Sequence, residues 1–401
     1  MVKSDRLAPT WLLGFGYLPL AINFTVATIG VPDLLAAAHV PEAQIAIATS
    51  LALATGFTSI PLAPLLDWRF PRRNYAIMFA VLSTACNFGA LMSIGNIVLL
   101  SAFLFLSGTS AVLGVTAVGG WFGDMLPGEK KVSLGAWFNV TNFGAAGVTA
   151  PLVVYAMRHL PSPFGAAVIS ALILLVVPLF ILTPCPPADR KLASESFHNF
   201  LRNVAALFRR KDVRWVLVIF LAPSASFALT NTLAGLGYDF HTSDEMVGLI
   251  GGAGVAVAGI FGSLIVPQIA KRLSPVVIYL LVGLVGAAFT LTLIPAPRDW
   301  VVFGIAMLGQ NAFQAAAFTA ANAITLRAIG HNNPLAATQF GVLIGVTQIP
   351  LTYMQMIDGH AYGLGGLDVT FVADAVISGV ACVVLGLLYW RFAFRPATVS
   401  G

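Results

Sequence analysis

Residues 64–73 read Pro-Leu-Leu-Asp-Trp-Arg-Phe-Pro-Arg-Arg, a short polar turn between two long apolar runs at 45–66 and 75–93. Each run holds about 20 residues, enough for one α-helix to cross the hydrocarbon core of a bilayer. Lipid offers the backbone no hydrogen-bond partners, so such runs must be helical. The arginines of the turn are costly in hydrocarbon and belong in water. The stretch therefore reads as a membrane hairpin whose loop carries an acid followed by a basic cluster.

The same pattern extends in both directions. Further apolar stretches run over 11–29, 97–121, 134–157 and 164–183, then over 215–237, 246–269, 277–295, 300–326, 336–357 and 369–390. With the hairpin they predict twelve spans. Composition agrees. The chain of 401 residues is 58% hydrophobic and 9% charged, with mean hydropathy +0.89. A soluble domain carries about 25% charged residues, because water-facing surface needs them.

Numbering the loops alternately sorts the basic residues. Of the 21 lysines and arginines, 19 fall on the side of the N-terminus, and only Arg158 and Arg298 fall on the other. Lysine and arginine are retained on the cytoplasmic side, so both termini are expected there, in an inner (plasma) membrane. The net charge of +5 is then a topology signal and not a nucleic-acid surface.

The longest polar segment divides the spans evenly. The predicted organisation is a six-helix bundle over 1–183, a cytoplasmic linker over 184–214 and a second six-helix bundle over 215–401. Within the linker, Phe197, Leu201, Val204 and Phe208 recur at helical spacing among basic residues. This predicts an amphipathic helix on the cytoplasmic membrane surface. The loop after the eighth span, Pro267-Gln-Ile-Ala-Lys-Arg272, faintly echoes the first loop without its acid, as expected of duplicated halves.

The segment 64–73 resembles the cytoplasmic loop signature of the major facilitator superfamily. Three details are similar to the branch that holds muropeptide permeases of the AmpG type, acetyl-CoA carriers and siderophore-uptake permeases. These are Pro64 three residues before Asp67, Leu13-Gly-Phe-Gly-Tyr-Leu-Pro-Leu20, and Ala337-Thr-Gln-Phe340. The resemblance implies an all-α fold of two pseudo-symmetric six-helix bundles that moves a small organic solute by alternating access. It also implies a conformational switch. Asp67 would sit against the N-terminus of the eleventh span, with Arg69, Arg72 and Arg73 pairing to acids such as Asp124. The chain departs from the muropeptide permeases in two places: Ala111 stands where they carry an acid, and Ser59 where they often carry a lysine.

Polar side chains within spans must face a cavity or another helix. The candidates for substrate contact are Asn23 in the first span, Asn139 and Asn142 in the fifth, and Ser224 and Asn231 in the seventh. Gln310, Asn311 and Gln314 in the tenth and Gln348 and Tyr353 in the eleventh complete the set. The expected site is a mid-membrane cavity between the halves. The competing role of each is a helix-to-helix hydrogen bond, about 0.6 kcal/mol on average. Asp374 is the acid that the pattern places inside a span, a candidate for proton coupling. With no embedded lysine or arginine, neutral, zwitterionic or amide-rich solutes fit best.

Other function classes lack their marks. The histidines show no metal-ligand spacing, so no metal is expected. No Walker A motif occurs, no cofactor is implied, and no catalytic constellation supports the alternative of a membrane-embedded lipid-modifying enzyme. Helix patterning does not give direction, so drug or metabolite efflux stands as an alternative to uptake. Gly254, Ala258 and Gly262 form a small-residue face suited to internal packing, in a chain expected to be monomeric.

Overall fold

In a computed structural model, residues 8–186 and 197–393 are described. They are helical with short connections, and no strand occurs among them. Lys3, Arg6, Arg190, Lys191 and Arg395, which entered the charge pattern, lie outside the described residues.

Among the described residues, ten helices are long and apolar enough to cross a membrane. The first six spans are Thr10–Ala37, Gln44–Asp67, Arg72–Met92, Ile97–Met125, Gly128–His159 and Ser162–Leu182. The eighth to tenth are Glu245–Ile269, Pro275–Thr292 and Trp300–Ile329. The last stretch, Ala336–Arg391, is two spans, because Gly365 and Gly366 leave helical geometry at its middle. Gly366 takes φ +68°, a left-handed value that suits a residue without Cβ. The remaining span, the seventh, is built in pieces: a helix Lys211–Leu221, a non-helical stretch over 222–228, then Leu229–Thr232 running into a tighter 3-10 stretch, Leu233–Phe240. Ten such helices, one of them bent into two, together with the broken seventh segment, are consistent with the twelve spans of the sequence pattern.

That interruption departs from the continuous seventh span of the sequence reading. Pro223 brings no N–H to the helical ladder, and Phe227 adopts φ +49°. A second break falls at Thr347, between the helices Ala336–Val346 and Gln348–Ala393. Pro350 explains it, since a proline clashes with the carbonyl four residues earlier, here Val346.

The chain divides into two compact units, residues 1–214 with 325–346, and residues 215–324 with 347–401. In the first unit, Trp121, Phe122, Phe138 and Phe180 centre one buried cluster, and Ile22, Val26, Leu104, Val153 and Ile169 a second. Phe340 belongs to the former cluster, which is one reason why the start of the eleventh span packs there. In the second unit Leu229, Phe240, Phe303, Met307 and Phe371 form the core. Outward-facing apolar side chains are many; Leu182 is 82% exposed and Val98 76%. A contiguous apolar exterior of this kind suits lipid.

The linker contains the expected helix, Phe197–Leu207. Val204 is buried against Leu335, with Trp68 and Phe208 beside them. The helix thus docks on the loop 64–73 region of its own unit.

Candidate functional site

Two polar constructions stand out, one in each unit. In the first unit, the second span ends at Asp67, whose side chain is fully buried. Its Oδ2 accepts from the backbone N–H of Thr338 at 2.7 Å and from Thr338 Oγ1 at 2.8 Å, and its Oδ1 from the N–H of Ala337 at 3.2 Å. The first turn of a helix has unpaired N–H groups and a partial positive charge, so a carboxylate there satisfies both. Arg72 Nε donates to the other side of the same carboxylate at 2.8 Å. The guanidinium fork then reaches Asp124 at 3.4 Å and the carbonyls of Asn333 and Pro334 at 2.8 and 3.1 Å. Asp124 in turn accepts from the Asn333 N–H at 2.8 Å.

Close backbone approach makes this geometry possible. A Cβ on Gly120 would lie 2.5 Å from the N and Cα atoms of Ala337, so the fourth span must carry glycine there for the eleventh to seat. Lys131 adds a second cation. It is buried, and its Nζ donates to the Gly330 carbonyl at 2.7 Å. The sequence reading counted Lys131 only as a cytoplasmic charge; its burial follows from the fifth span beginning under the 329–335 turn.

Of the three loop arginines, only Arg72 reaches the acids. Arg69 has φ +68° and lies over the Trp68 ring at 4.6 Å. No ion pair joins Arg69 or Arg73 to an acid among the described residues. Cys185, just outside the sixth span, lies in the field of Arg72 and Arg73, yet burial dominates and pushes its thiol up.

The candidate substrate residues divide into bonded and accessible. Asn23 is spent on helix packing: its Nδ2 donates to Ser83 Oγ at 2.7 Å and to the Pro19 carbonyl at 2.8 Å, and its Oδ1 accepts from Ser107. Asn139 is buried and donates to the Gly135 carbonyl at 3.3 Å, whereas Asn142 is half-buried. Gln310 is fully buried and donates to Thr290 Oγ1 at 2.7 Å, leaving Oε1 without a partner. Gln314 donates to Thr230 Oγ1 at 2.7 Å, and Asn311 to its own helix. The two glutamines therefore bond different neighbours. Asn231 is exposed and sits 3.5 Å from Gln355, and Gln348 is half-buried. Tyr353 donates to the Leu221 carbonyl at 2.9 Å, satisfying the end of the first piece of the seventh span.

In the second unit, the unwound stretch at 222–228 packs against the ninth and twelfth spans around a small cavity. Its lining includes Ser224, Ser226, Phe227, Asp374 and Ser378. Asp374 is buried, and its Oδ1 has no hydrogen-bond partner; the same holds for Ser226 Oγ. Asp358, which the sequence reading left beyond the eleventh span, is a second buried acid, with neither oxygen partnered. The helix continues through Leu364, so the acid lies inside it. The unbroken Ile357-Asp-Gly-His-Ala-Tyr362 run, free of proline, was the available signal.

A family model for the Major Facilitator Superfamily matches residues 13–349. No curated protein matches the sequence. Among solved structures, the fucose:proton symporter FucP of E. coli superposes with TM-score 0.67 at 17% identity, over 94% of this chain and 97% of that one. The human organic anion transporter TETRAN gives TM-score 0.72 at 16% identity, over 96% and 100%. A bacterial homologue of the iron transporter ferroportin gives 0.66 at 15%, over 97% and 100%. At these identities the likeness is one of fold.

Proposed function

The chain belongs to the major facilitator superfamily, and from that membership we propose secondary active transport of a small neutral, zwitterionic or amide-rich organic solute, cycling by alternating access. The chain is a transporter and not an enzyme. The finer reading is uptake of a muropeptide- or siderophore-like compound across the cytoplasmic membrane. It is supported by the short sequence resemblances and, among the described residues, by the lack of a lysine or arginine at the middle of a span to hold an anion.

The observation that carries the cycle is the buried Asp67 carboxylate on the first turn of Ala336–Val346, held from behind by Arg72. It ties the loop between the second and third spans to the start of the eleventh with charge-assisted bonds. Such bonds are strong when closed and costly to leave unpaired, which suits a two-state latch. In this reading Asp67, Arg72 and Asp124 are the latch, while Arg69 and Arg73 hold the loop at the headgroup level. Asn142, Asn231 and Gln348 are the amides left accessible for solute; Asn23 and Gln310 are structural.

Comparing metabolites in cells with and without the protein tests this directly. One chemical class should differ in accumulation, and cells carrying Asp67→Asn should match cells without the protein while inserting it normally. No class difference overturns transport; wild-type accumulation with Asp67→Asn overturns the latch. Membrane vesicles of defined orientation then give the direction.

A further inference from the structure

The second unit holds an arrangement that the latch and the accessible amides do not explain. A membrane helix is broken at 222–228, and two buried acids lie near the break without a cation. Unwound backbone inside a membrane is tolerated where it lines a cavity or is buried in protein. Here it does both. The Ser224 carbonyl approaches the ninth span so closely that a Cβ on Gly283 would lie 1.8 Å from it. The cavity beside it is about the size of one water, near 10 Å³.

Its polar lining is oxygen: Ser224, Ser226, Ser378 and the carboxylate of Asp374. Asp374 and Ser226 are each more than nine-tenths buried, and Asp374 Oδ1 and Ser226 Oγ lack hydrogen-bond partners. Asp374 stands close enough for its charge to act on Asp358. Thr370, one turn before Asp374, donates to the Gly366 carbonyl at 3.0 Å and lies 3.5 Å from the Asp358 carbonyl, which brings the two acids' helices side by side. The other titratable groups packed here are thiol and phenol groups: Cys382, whose Sγ donates to the Ser224 carbonyl at 2.6 Å, and Tyr279 and Tyr353. No lysine or arginine pairs with either acid among the described residues.

A neutral water could fill the space only beside a protonated Asp374; an ionised Asp374 needs a cation, because an uncompensated charge is expensive in low dielectric. Oxygen-only ligands favour a hard cation, and the small space excludes one that keeps a hydration shell. No group of three or more His, Cys, Asp or Glu side chains suited to a metal ion occurs among the described residues, which argues against a divalent ion. Broken membrane helices offer carbonyl oxygens to sodium in other transporter folds.

We propose that Ser226, Asp374 and the unwound 222–228 backbone form a binding site for one sodium ion, with Asp358 supplying additional negative field. The site rests on the transporter reading for its purpose, namely coupling solute movement to a sodium gradient, but its occupancy can be measured without transport. Binding would hold the seventh and twelfth spans together through a shared ligand, so ion occupancy would bias the conformation of the second unit.

The test uses the full-length purified protein in nanodiscs. Unfolding temperature is followed as sodium chloride replaces choline chloride at constant ionic strength and pH, with potassium chloride as a second control. Sodium alone should raise the unfolding temperature in a saturable way, since a ligand that binds only the folded state stabilises it. Asp374→Asn should abolish the response. Ser226→Ala, a mild change, should weaken sodium binding about tenfold, as for loss of one polar ligand. Equal stability in sodium and choline overturns the site, as does an equal response to potassium or an undiminished response in both variants. A response only to pH, lost in Asp374→Asn, also overturns it and assigns the acid to a proton. Sodium binding without any solute movement would instead sink the transport reading and leave the ion site standing.

Discussion

Asp67 accepts four hydrogen bonds through one buried carboxylate, three from the first turn of the eleventh span and one from Arg72. Removing one partner of a buried ion pair costs about 3–5 kcal/mol, because the other charge stays buried. Asp67→Asn should therefore lower the unfolding temperature far more than Thr338→Val, which deletes a single hydroxyl donor worth about 1 kcal/mol. Comparable shifts for the two variants, read by thermal unfolding in detergent, would show that the carboxylate charge is unimportant. Arg72→Lys belongs with the severe class: a lysine ammonium cannot span Asp67, Asp124 and two carbonyls as the planar fork does. Cys185 reports on the same corner. Burial pushes its thiol up, so less thiolate is present at a given pH than for a free cysteine. Its labelling by a maleimide should be slow at neutral pH and should accelerate only at higher pH than for a free thiol. Asp67→Asn, by loosening the corner, should speed it, and an unchanged rate would separate Cys185 from the latch.

Among the elements, the broken seventh span differs most from its sequence reading. Apolar length and the following loop predicted a continuous crossing, and Pro223 was the visible warning. What was not visible is that the break is accommodated by a second element. Gly283 and Gly286 on the ninth span leave room for the Ser224 carbonyl and the Phe227 ring. A Gly283→Ala substitution places a methyl against a backbone oxygen that cannot rotate away, so the unwound segment must move. Expected is a folded but destabilised protein whose Cys382, now bonded to the displaced Ser224 carbonyl, becomes more reactive to thiol reagents. Wild-type stability and reactivity would show that the segment is loosely held. The same contrast explains which site residues were legible. Asp67 was readable because its type and place in a loop motif point to a helix terminus. The polar amides were readable as a set, but whether Asn23 bonds Ser83 or a solute depends on a partner 60 residues away. Asp358 was missed because the span was ended at the first acid, whereas the helix runs on through Leu364.

At the scale of the whole molecule, the fold was legible because lipid imposes a one-dimensional rule: apolar runs of spanning length, with charge confined to alternate loops. The structure adds a consistency that the rule did not use. Arg158 pairs with Asp33 at 2.7 Å, and both lie in loops assigned to the outer side. Arg72 pairs with Asp67 and Asp124, all assigned to the cytoplasmic side. Arg298 and Asp368, both outer, pair as well. No ion pair among the described residues joins a group assigned outside to one assigned inside. Each pair brackets an even number of spans, so a miscount among the second to fifth spans, or at the tenth or eleventh, would have broken this agreement. The orientation proposed from the basic residues can be tested by accessibility. In a Cys185→Ser background, where Cys86 and Cys382 are buried, single cysteines replace Arg158 and Arg210, both well exposed. An impermeant thiol reagent added to intact cells should label Arg158→Cys at once and Arg210→Cys only after permeabilisation. Labelling of both from outside would place an odd number of crossings wrong between the fifth span and the linker. Labelling of Arg210→Cys alone would invert the protein and put the Asp67 latch on the outer face.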